Sequence, residues 1–183
     1  MSRIPPVDPA TAQGKAKDLL SAVQRALGVT PNLFRVTAQS PAALEGLLSL
    51  NGALQRSAIS PKLREQIALR VAEKNRCDYC LSAHSVLGKH AGLGESEIVQ
   101  AREARGSDAK ATAALQFVSA ILAQSGGVSD KELAALRGAG FGDGEIVEIV
   151  AVTVLNVLTN YLNRVAATDI DFPVVRARVS SAA

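Results

Sequence analysis

The chain contains 183 residues, of which 48% are hydrophobic and 20% charged, and its net charge at pH 7 is +3. These proportions are typical of a soluble globular protein and exclude disorder over most of the chain. Lysine and arginine are scattered, and only 3% of the residues are aromatic. A nucleic-acid partner is not expected, because it would need clustered positive charge or an aromatic stacking surface.

The sequence favours a cytoplasmic location. Its two cysteines, Cys77 and Cys80, lie in one short motif, whereas small secreted domains spread more cysteines along the chain. Residues 1–14 have no apolar core that could serve as a signal peptide. The most apolar stretch, residues 146–158, is interrupted by Glu148 and is too short to span a bilayer. We therefore expect no membrane partner.

Helical periodicity dominates the chain, and convincing runs of alternating apolar and polar β-branched residues are absent. Gly28 is a suitable left-handed cap for the end of the first helix. Ser-Pro pairs predict two further helix starts, because serine caps the first turn and proline fits its first position. The predicted helices of this half cover residues 10–27, start at Ser40-Pro41, start at Ser60-Pro61, and cover residues 77–90.

Residues 91–99 are similar in sequence to residues 139–147, since both contain Ala-Gly-x-Gly followed by acidic residues. Two similar corners explain it, because glycine ends one helix and acidic residues begin the next. A duplicated helical unit is the alternative. The predicted helices of the second half cover residues 108–124, start at Ser129-Asp130, and cover residues 144–167. The last is hydrophobic on most faces, so we expect it to be buried or to lie in a subunit interface.

We expect a single all-α domain over residues 1–183, because no linker separates two folding units. Its core is predicted at about residues 28–168, with extended tails at residues 1–9 and 169–183. The second tail alternates basic and apolar residues. It is therefore interpreted either as a docking arm or as a loose end.

The chemically informative motif is Cys77-x-x-Cys80 followed by His84. In a helix that begins at Cys77, the three side chains project from one face within about 60°. Thiols one turn apart can close a disulfide, and the positive end of the helix dipole stabilises a thiolate. An imidazole one turn after Cys80 can accept or return its proton. Such a set suits peroxide reduction or disulfide exchange.

Two other interpretations of this motif stay open. In the first, the cysteines are small buried hydrophobes beside a core histidine. In the second, Cys77, Cys80 and His84 bind zinc with Glu65 or His90 as the fourth ligand. Structural zinc sites usually use two separated ligand pairs, and the sequence offers no second pair. His90 lies on the opposite side of the helix and suits its C-terminus, so no metal is expected.

Glu65 lies among apolar residues of the preceding predicted helix. Exposure on the polar face of that helix is the ordinary expectation. A helical hairpin that turns near Asn75 would instead bring Glu65 beside the helix that carries His84. A carboxylate in that position could tune the imidazole or relay a proton through it.

Glu65 followed by Cys77-x-x-Cys80-x-x-x-His84 resembles the signature of the alkylhydroperoxidase D-like group in the carboxymuconolactone decarboxylase superfamily. The surrounding sequence is similar to the peroxidase-related branch of that group over about residues 28–173. The similar segments are residues 28–35, Ser40-Pro41, Arg64-Glu65, residues 75–80 and residues 156–161.

The resemblance implies an AhpD-like, all-α multi-helix fold with internal pseudo-symmetry, assembled into trimers or hexamers. It also implies that hydroperoxides are reduced through a cysteine sulfenic acid and an intramolecular disulfide. By this resemblance Cys80 attacks the peroxide, Cys77 resolves the sulfenic acid, and Glu65 and His84 relay protons. The helix dipole by itself favours Cys77 as the attacking residue, because Cys77 is nearer the helix terminus.

The motif departs from the family at Tyr79, where the best-known members carry histidine. A phenol can donate a hydrogen bond, but it does not accept a proton near neutral pH as an imidazole does. A proton relay through this position is therefore not expected here.

The sequence as a whole predicts a cofactor-free thiol peroxidase. Organic hydroperoxides are slightly favoured because apolar helices offer an apolar pocket, and an external lipoyl-bearing or thioredoxin-like dithiol would restore the cysteines. Two other classes stay open. One is a carboxymuconolactone decarboxylase-like lyase with Glu65 and His84 as its acid–base pair, and the other is a non-catalytic, redox-sensing helical oligomer.

Overall fold

The computed structural model describes residues 2–178, and every regular element in that range is an α-helix. The predicted all-α fold is therefore confirmed. The helices are α1 (Gly14–Leu27), α2 (Asn32–Thr37), α3 (Pro41–Leu54), α4 (Pro61–Lys74), α5 (Asp78–His90), α6 (Glu95–Arg102), α7 (Ala109–Gln124), α8 (Asp130–Gly138) and α9 (Asp143–Ala166).

Local capping signals account for most helix starts. The side chains of Ser40 and Ser60 each accept a hydrogen bond from the backbone three residues on, and proline follows each serine. Asp108 and Ser129 cap α7 and α8 in the same way. Each cap satisfies a backbone N–H that the first helical turn leaves without a partner, so these predicted starts are confirmed.

The start predicted for α1 is wrong by four residues, because residues 10–13 are not helical. Asp8 holds this stretch in a turn instead. Its carboxylate accepts from the Ala10 backbone at 3.0 Å, and its carbonyl accepts from Ala12 at 2.9 Å. An aspartate that bonds the backbone two residues on competes with the helix. The predicted end is confirmed, since Gly28 adopts the left-handed conformation.

The two similar segments, residues 91–99 and 139–147, form similar turns before α6 and α9. In both, a glycine with positive φ lies in the turn. The backbone N–H of Gly94 donates to Glu97 at 2.8 Å, and that of Gly142 donates to Glu145 at 2.9 Å. The helices that follow contain 8 and 24 residues, so the likeness is one of turn and capping chemistry.

Helix α4 lies at the centre of the fold and packs against α5, α6, α7 and α9. Seven of its fourteen residues are buried, and they belong mainly to the larger of two apolar clusters. The smaller cluster joins α1 to α3 around Leu20, Ala38 and Leu44. Because α4 is buried on several sides, its apolar residues are not confined to one face of the helix.

Helix α9 is, among the described residues, the one helix long and apolar enough to cross a membrane. It is a core helix nonetheless, because it packs against α2, α3, α4, α5 and α7. Asn156, Asn160 and Asn163 are buried along it, and such amides are costly in hydrocarbon. Its other face carries an exposed apolar stripe made of Val147, Val150, Val154, Leu158, Tyr161 and Val165.

Both chain ends pack onto the helical body where the structure describes them. Near the start, the Arg3 N–H donates to the Ala166 carbonyl at 2.6 Å. Near the other end, the Val175 N–H donates to the Ser82 hydroxyl at 2.9 Å. Residues 169–178 therefore form a docked segment, whereas residues 179–183 of the predicted tail lie outside the described residues.

Candidate active site

Cys77 occupies the junction between α4 and α5. After α4 ends, Arg76 adopts a positive φ of 52°, and the Cys77 N–H donates to the Ala72 carbonyl at 2.9 Å. Cys77 is thereby the N-cap of α5, and its sulfur accepts from the backbone N–H of Cys80 at 3.3 Å. A sulfur in this position faces the positive end of the helix dipole.

The two sulfurs are buried, reduced and in contact. Both cysteines are free, and they are 1% and 3% exposed. The side-chain hydrogen bond from Cys80 lowers the pKa of Cys77, and the Cys80 backbone N–H acts in the same direction, although burial opposes both. Cys77 is therefore the sulfur that ionises more readily in the resting protein.

Cys80 has the opposite tendency. Burial raises the pKa of the Cys80 thiol well above its usual value, and the hydrogen bond with Cys77 and the charge of Cys77 add to the increase. The side-chain amides of Asn163 and Asn160 act in the other direction, and Asn163 Nδ2 lies 3.3 Å from the sulfur. Of the two sulfurs, Cys77 therefore loses its proton more readily than Cys80 does.

The packing of α5 against α4 brings Glu65 and His84 together. His84 Nδ1 lies 2.8 Å from Glu65 Oε2, and each side chain is 20% exposed. Within residues 2–178, no hydrogen bond joins His84 to either sulfur. The helical hairpin considered from the sequence therefore exists, while the relay role of this pair stays a prediction.

Tyr79 fastens the start of α5 to two neighbouring segments. Its hydroxyl accepts from the Leu33 N–H at 3.1 Å and bonds the Asp171 carboxylate. Its ring contacts the edge of Phe172, with 5.7 Å between centroids. Burial raises the pKa of Tyr79, so the phenol keeps its proton. In this chain the position serves attachment rather than proton acceptance.

The docked C-terminal segment, residues 169–178, contacts the first turn of α5 from outside. The Ala177 N–H and the Arg176 guanidinium both donate to Asp78, each at 2.8 Å. Ser82 receives the Val175 N–H in the next turn. Because the adjacent thiols are buried, a reagent reaches them only when local opening moves part of their cover.

The main surface cavity, His90 and the alternative of a metal site can each be compared with the position of the thiol pair. A surface cavity of about 320 Å³ lies between the starts of α4 and α7, and none of the four predicted site residues lines it. His90 lies in the last turn of α5. In the part of the chain that the structure describes, no three His, Cys, Asp or Glu side chains are grouped to hold a metal ion.

The segment that carries these four residues is similar in sequence to a known family. Residues 41–123 match the model of the carboxymuconolactone decarboxylase family, and this range contains Glu65, Cys77, Cys80 and His84. The matched segment is somewhat less than half of the chain, and over it the sequence is similar to that family. No protein with a curated description matches the chain.

Solved structures show that this chain has an AhpD-like fold. A peroxidase-related protein with an alkylhydroperoxidase AhpD core, from Ralstonia eutropha JMP134, superposes with a TM-score of 0.83 at 23% identity, covering 93% of this chain and 92% of that one. A peroxidase-related protein from Silicibacter sp. TM1040 has a TM-score of 0.79 at 24% identity, over 91% and 88%. The debrominase Bmp8 has a TM-score of 0.78 at 19% identity, over 92% and 91%.

The two asparagines of α9 that lie beside Cys80 were not predicted from the sequence. Asn160 and Asn163 are 0% and 3% exposed, although they lie about eighty residues further along the chain. A signal existed, because Asn156, Asn160 and Asn163 recur at helical spacing on one face of an otherwise apolar helix. Buried amides at such a spacing need polar partners inside the fold.

Proposed function

We propose that this protein is a cofactor-free thiol peroxidase that reduces hydroperoxides. The observation that carries the proposal is the buried, hydrogen-bonded pair of free thiols at the start of α5. The side chains of the two cysteines are hydrogen-bonded to each other, so a proton can pass between the sulfurs and a disulfide can close once one of them is oxidised. The AhpD-like fold and the peroxidase-related neighbours support the same reaction class.

The proposed reaction begins with proton transfer from Cys80 to Cys77, which moves the negative charge onto Cys80. The Cys80 thiolate attacks the terminal oxygen of the hydroperoxide, so an S–O bond forms and the O–O bond breaks. The departing alkoxide takes a proton through the His84–Glu65 pair and leaves as an alcohol. Sulfur is thereby oxidised by two electrons, and the peroxide is reduced by two.

The second step makes the disulfide. The Cys77 sulfur attacks the Cys80 sulfenic acid, forming the S–S bond and releasing water. An external dithiol, lipoyl-bearing or thioredoxin-like, then restores both thiols by exchange. A cytoplasmic location fits this cycle, because a reducing compartment keeps the resting pair as free thiols.

Organic hydroperoxides are the proposed substrate class. Cys77 and Cys80 belong to the main apolar cluster of the fold. An alkyl or aryl group that approaches the sulfurs can therefore exchange water for apolar contacts. Hydrogen peroxide offers no such group, so we expect it to react more slowly.

Anaerobic thiol counting with one equivalent of cumene hydroperoxide tests the proposal. We expect both free thiols of the wild-type protein to disappear, with one mole of cumyl alcohol formed per mole of chain. Persistence of both thiols would overturn the proposal. Parallel incubation with 2,3,4-tribromopyrrole, the compound found in complex with a cysteine-to-alanine variant of Bmp8, distinguishes debromination, because only that chemistry would release bromide.

The lyase alternative rests on the 2.8 Å contact between Glu65 and His84, an acid–base pair that needs no thiol. Replacing both cysteines by serine separates the two functions. Peroxidase activity has to vanish in that protein, whereas a lyase acting on a small carboxylic acid would retain its rate.

We also propose that a second copy of the chain packs on the apolar stripe of α9. The stripe spans 18 positions, or five turns, so it runs straight along the helix for roughly 27 Å. It is apolar from end to end and can therefore pair with itself across a two-fold axis. The family resemblance implies trimers or hexamers, and a hexamer built from two trimers would contain such an axis.

Native mass measurement checks this assembly. We expect the wild type to form an oligomer and Val154→Lys, in the middle of the stripe, to shift the mass toward the 19.0 kDa monomer. Val99→Lys on α6, exposed by 39%, is the matched control and should leave the mass unchanged. A monomeric wild type would contradict the proposal, and an oligomer that is the same when oxidised and reduced would remove the redox-sensor alternative.

A further inference from the structure

Two amides on consecutive turns of α9 have polar atoms without a hydrogen-bond partner among the described residues. These atoms are Nδ2 of Asn160 and Oδ1 of Asn163. The other half of each amide is engaged, because Asn160 Oδ1 accepts from Asn75 at 3.2 Å and Asn163 Nδ2 donates to Cys80 Sγ at 3.3 Å. Most buried polar atoms in folded proteins have a hydrogen-bond partner, so two unpaired ones on neighbouring turns can accommodate a small polar group.

The two unpaired atoms are complementary and lie beside one sulfur. Asn160 offers a donor and Asn163 offers an acceptor, and both side chains face Cys80 closely enough to affect its ionisation. A small group that both donates and accepts hydrogen bonds would satisfy them together. A hydroperoxide is such a group, because its terminal O–H donates and its inner oxygen accepts.

We propose that Asn160 and Asn163 bind the peroxide group of the oxidant and direct its terminal oxygen onto Cys80. In this arrangement the terminal O–H donates to Asn163 Oδ1, and Asn160 Nδ2 donates to the inner oxygen. The inference rests on the proposed peroxidase function and deepens it, because it identifies which atoms recognise the substrate.

One amide then orients both reactants. Asn163 holds the sulfur through Nδ2 and the terminal O–H through Oδ1, which brings nucleophile and electrophile together. As the S–O bond forms and the O–O bond breaks, negative charge develops on the inner oxygen, where Asn160 donates. The terminal oxygen keeps its hydrogen and becomes the sulfenic acid of Cys80, and the inner oxygen leaves as the alkoxide that is then protonated.

This arrangement also explains how Cys80 reacts although Cys77 ionises more readily. The Cys77 sulfur is engaged by the backbone of its own helix, whereas Cys80 is the sulfur beside the unpaired amide atoms. The amides therefore favour attack by Cys80 once the proton has moved to Cys77.

The test compares Asn160→Leu and Asn163→Leu with Asn156→Leu, all combined with Cys77→Ser so that only Cys80 titrates. Leucine keeps the approximate volume of asparagine and removes its hydrogen bonds. Asn156 is the matched control, because it is also buried on α9 but donates to the Val152 carbonyl of its own helix. Thiolate absorbance at 240 nm gives the pKa of Cys80, and single-turnover kinetics with cumene hydroperoxide give the oxidation rate.

We expect Asn163→Leu to raise the pKa of Cys80 by about one unit, which lowers the thiolate fraction about tenfold. Its oxidation rate should fall by about a hundredfold in total. This is more than the loss of thiolate explains, because the substrate contact is lost as well. Asn160→Leu should likewise lower the rate by about tenfold more than its thiolate fraction explains. Asn156→Leu should change neither quantity.

Two failures are distinguishable. If the wild type reacts with cumene hydroperoxide and the asparagine variants lose only what their thiolate fraction predicts, the substrate-binding inference is overturned and the peroxidase proposal survives. If the wild-type thiols do not react at all, the peroxidase proposal fails and the inference fails with it. Should Asn163→Leu not fold, as judged by circular dichroism, Asn163→Ala is measured in its place.

Discussion

Cys80→Ser is expected to abolish hydroperoxide reduction, with a loss of at least about a thousandfold, because a serine hydroxyl cannot replace a thiolate nucleophile. The substitution is nearly isosteric at a buried site, so the fold should be kept. Steady-state consumption of cumene hydroperoxide with a dithiol reductant measures the loss. Circular dichroism and a urea titration verify that the variant is folded.

Cys77→Ser is the informative partner of that variant. Serine is a strong N-cap residue, so the start of α5 should be kept while the resolving sulfur is removed. We expect a single turnover that stops at the Cys80 sulfenic acid, which dimedone traps and mass spectrometry assigns. A dimedone adduct on Cys77 in the Cys80→Ser protein would instead show that the sulfur with the lower resting pKa is the nucleophile, and the proposed roles would be exchanged.

Arg102→Met is expected to lower the free energy of unfolding by about 3 kcal/mol, because it leaves the carboxylate of Glu73, which is only 12% exposed, without the guanidinium that pairs with it. Arg102 is 9% exposed. Its Nε donates to Glu73 at 2.7 Å, and its Nη2 donates to the Arg176 carbonyl at 2.8 Å. One side chain therefore joins α4, α6 and the docked C-terminal segment. Urea denaturation monitored by circular dichroism measures the change.

The double variant Glu73→Met with Arg102→Met controls for lost packing. Removing both charges should restore more than half of the lost stability, because neither charge is then buried alone. Lys15→Met is the surface comparison, since its partner Glu45 and Lys15 itself are each about half exposed, and it should cost under about 1 kcal/mol. A loss for Arg102→Met no larger than that of Lys15→Met would show that the buried pair contributes little.

Capping chemistry made the helix starts predictable. The side chain of a serine followed by proline accepts a hydrogen bond from the backbone N–H three residues on. Ser40 and Ser60 therefore cap their helices alike, whatever the tertiary context. The start of α1 was not predictable in this way, because the backbone of residues 10–12 donates hydrogen bonds to Asp8 and forms a turn instead of a helix. Both outcomes follow from short-range hydrogen bonds, which differ only in which backbone groups they engage.

The candidate site divides between local and distant residues. Cys77, Cys80 and His84 belong to one short segment, so their common helix could be predicted from spacing. The contact of Glu65 with His84 needed the packing of α5 on α4, which the sequence suggested only as one possibility. The role of Tyr79 depended on Leu33 and on the docked C-terminal segment, neither of which the motif itself specifies.

By itself the sequence determined the all-α class, the position of the thiol pair at a helix start and the identity of its two sulfurs, because these follow from interactions within a few residues. The tertiary structure alone brought the amides of α9 against Cys80 and buried both sulfurs. Burial is the largest cause of the raised pKa of Cys80, whereas the hydrogen bonds that lower the pKa of Cys77 come from Cys80, three residues away.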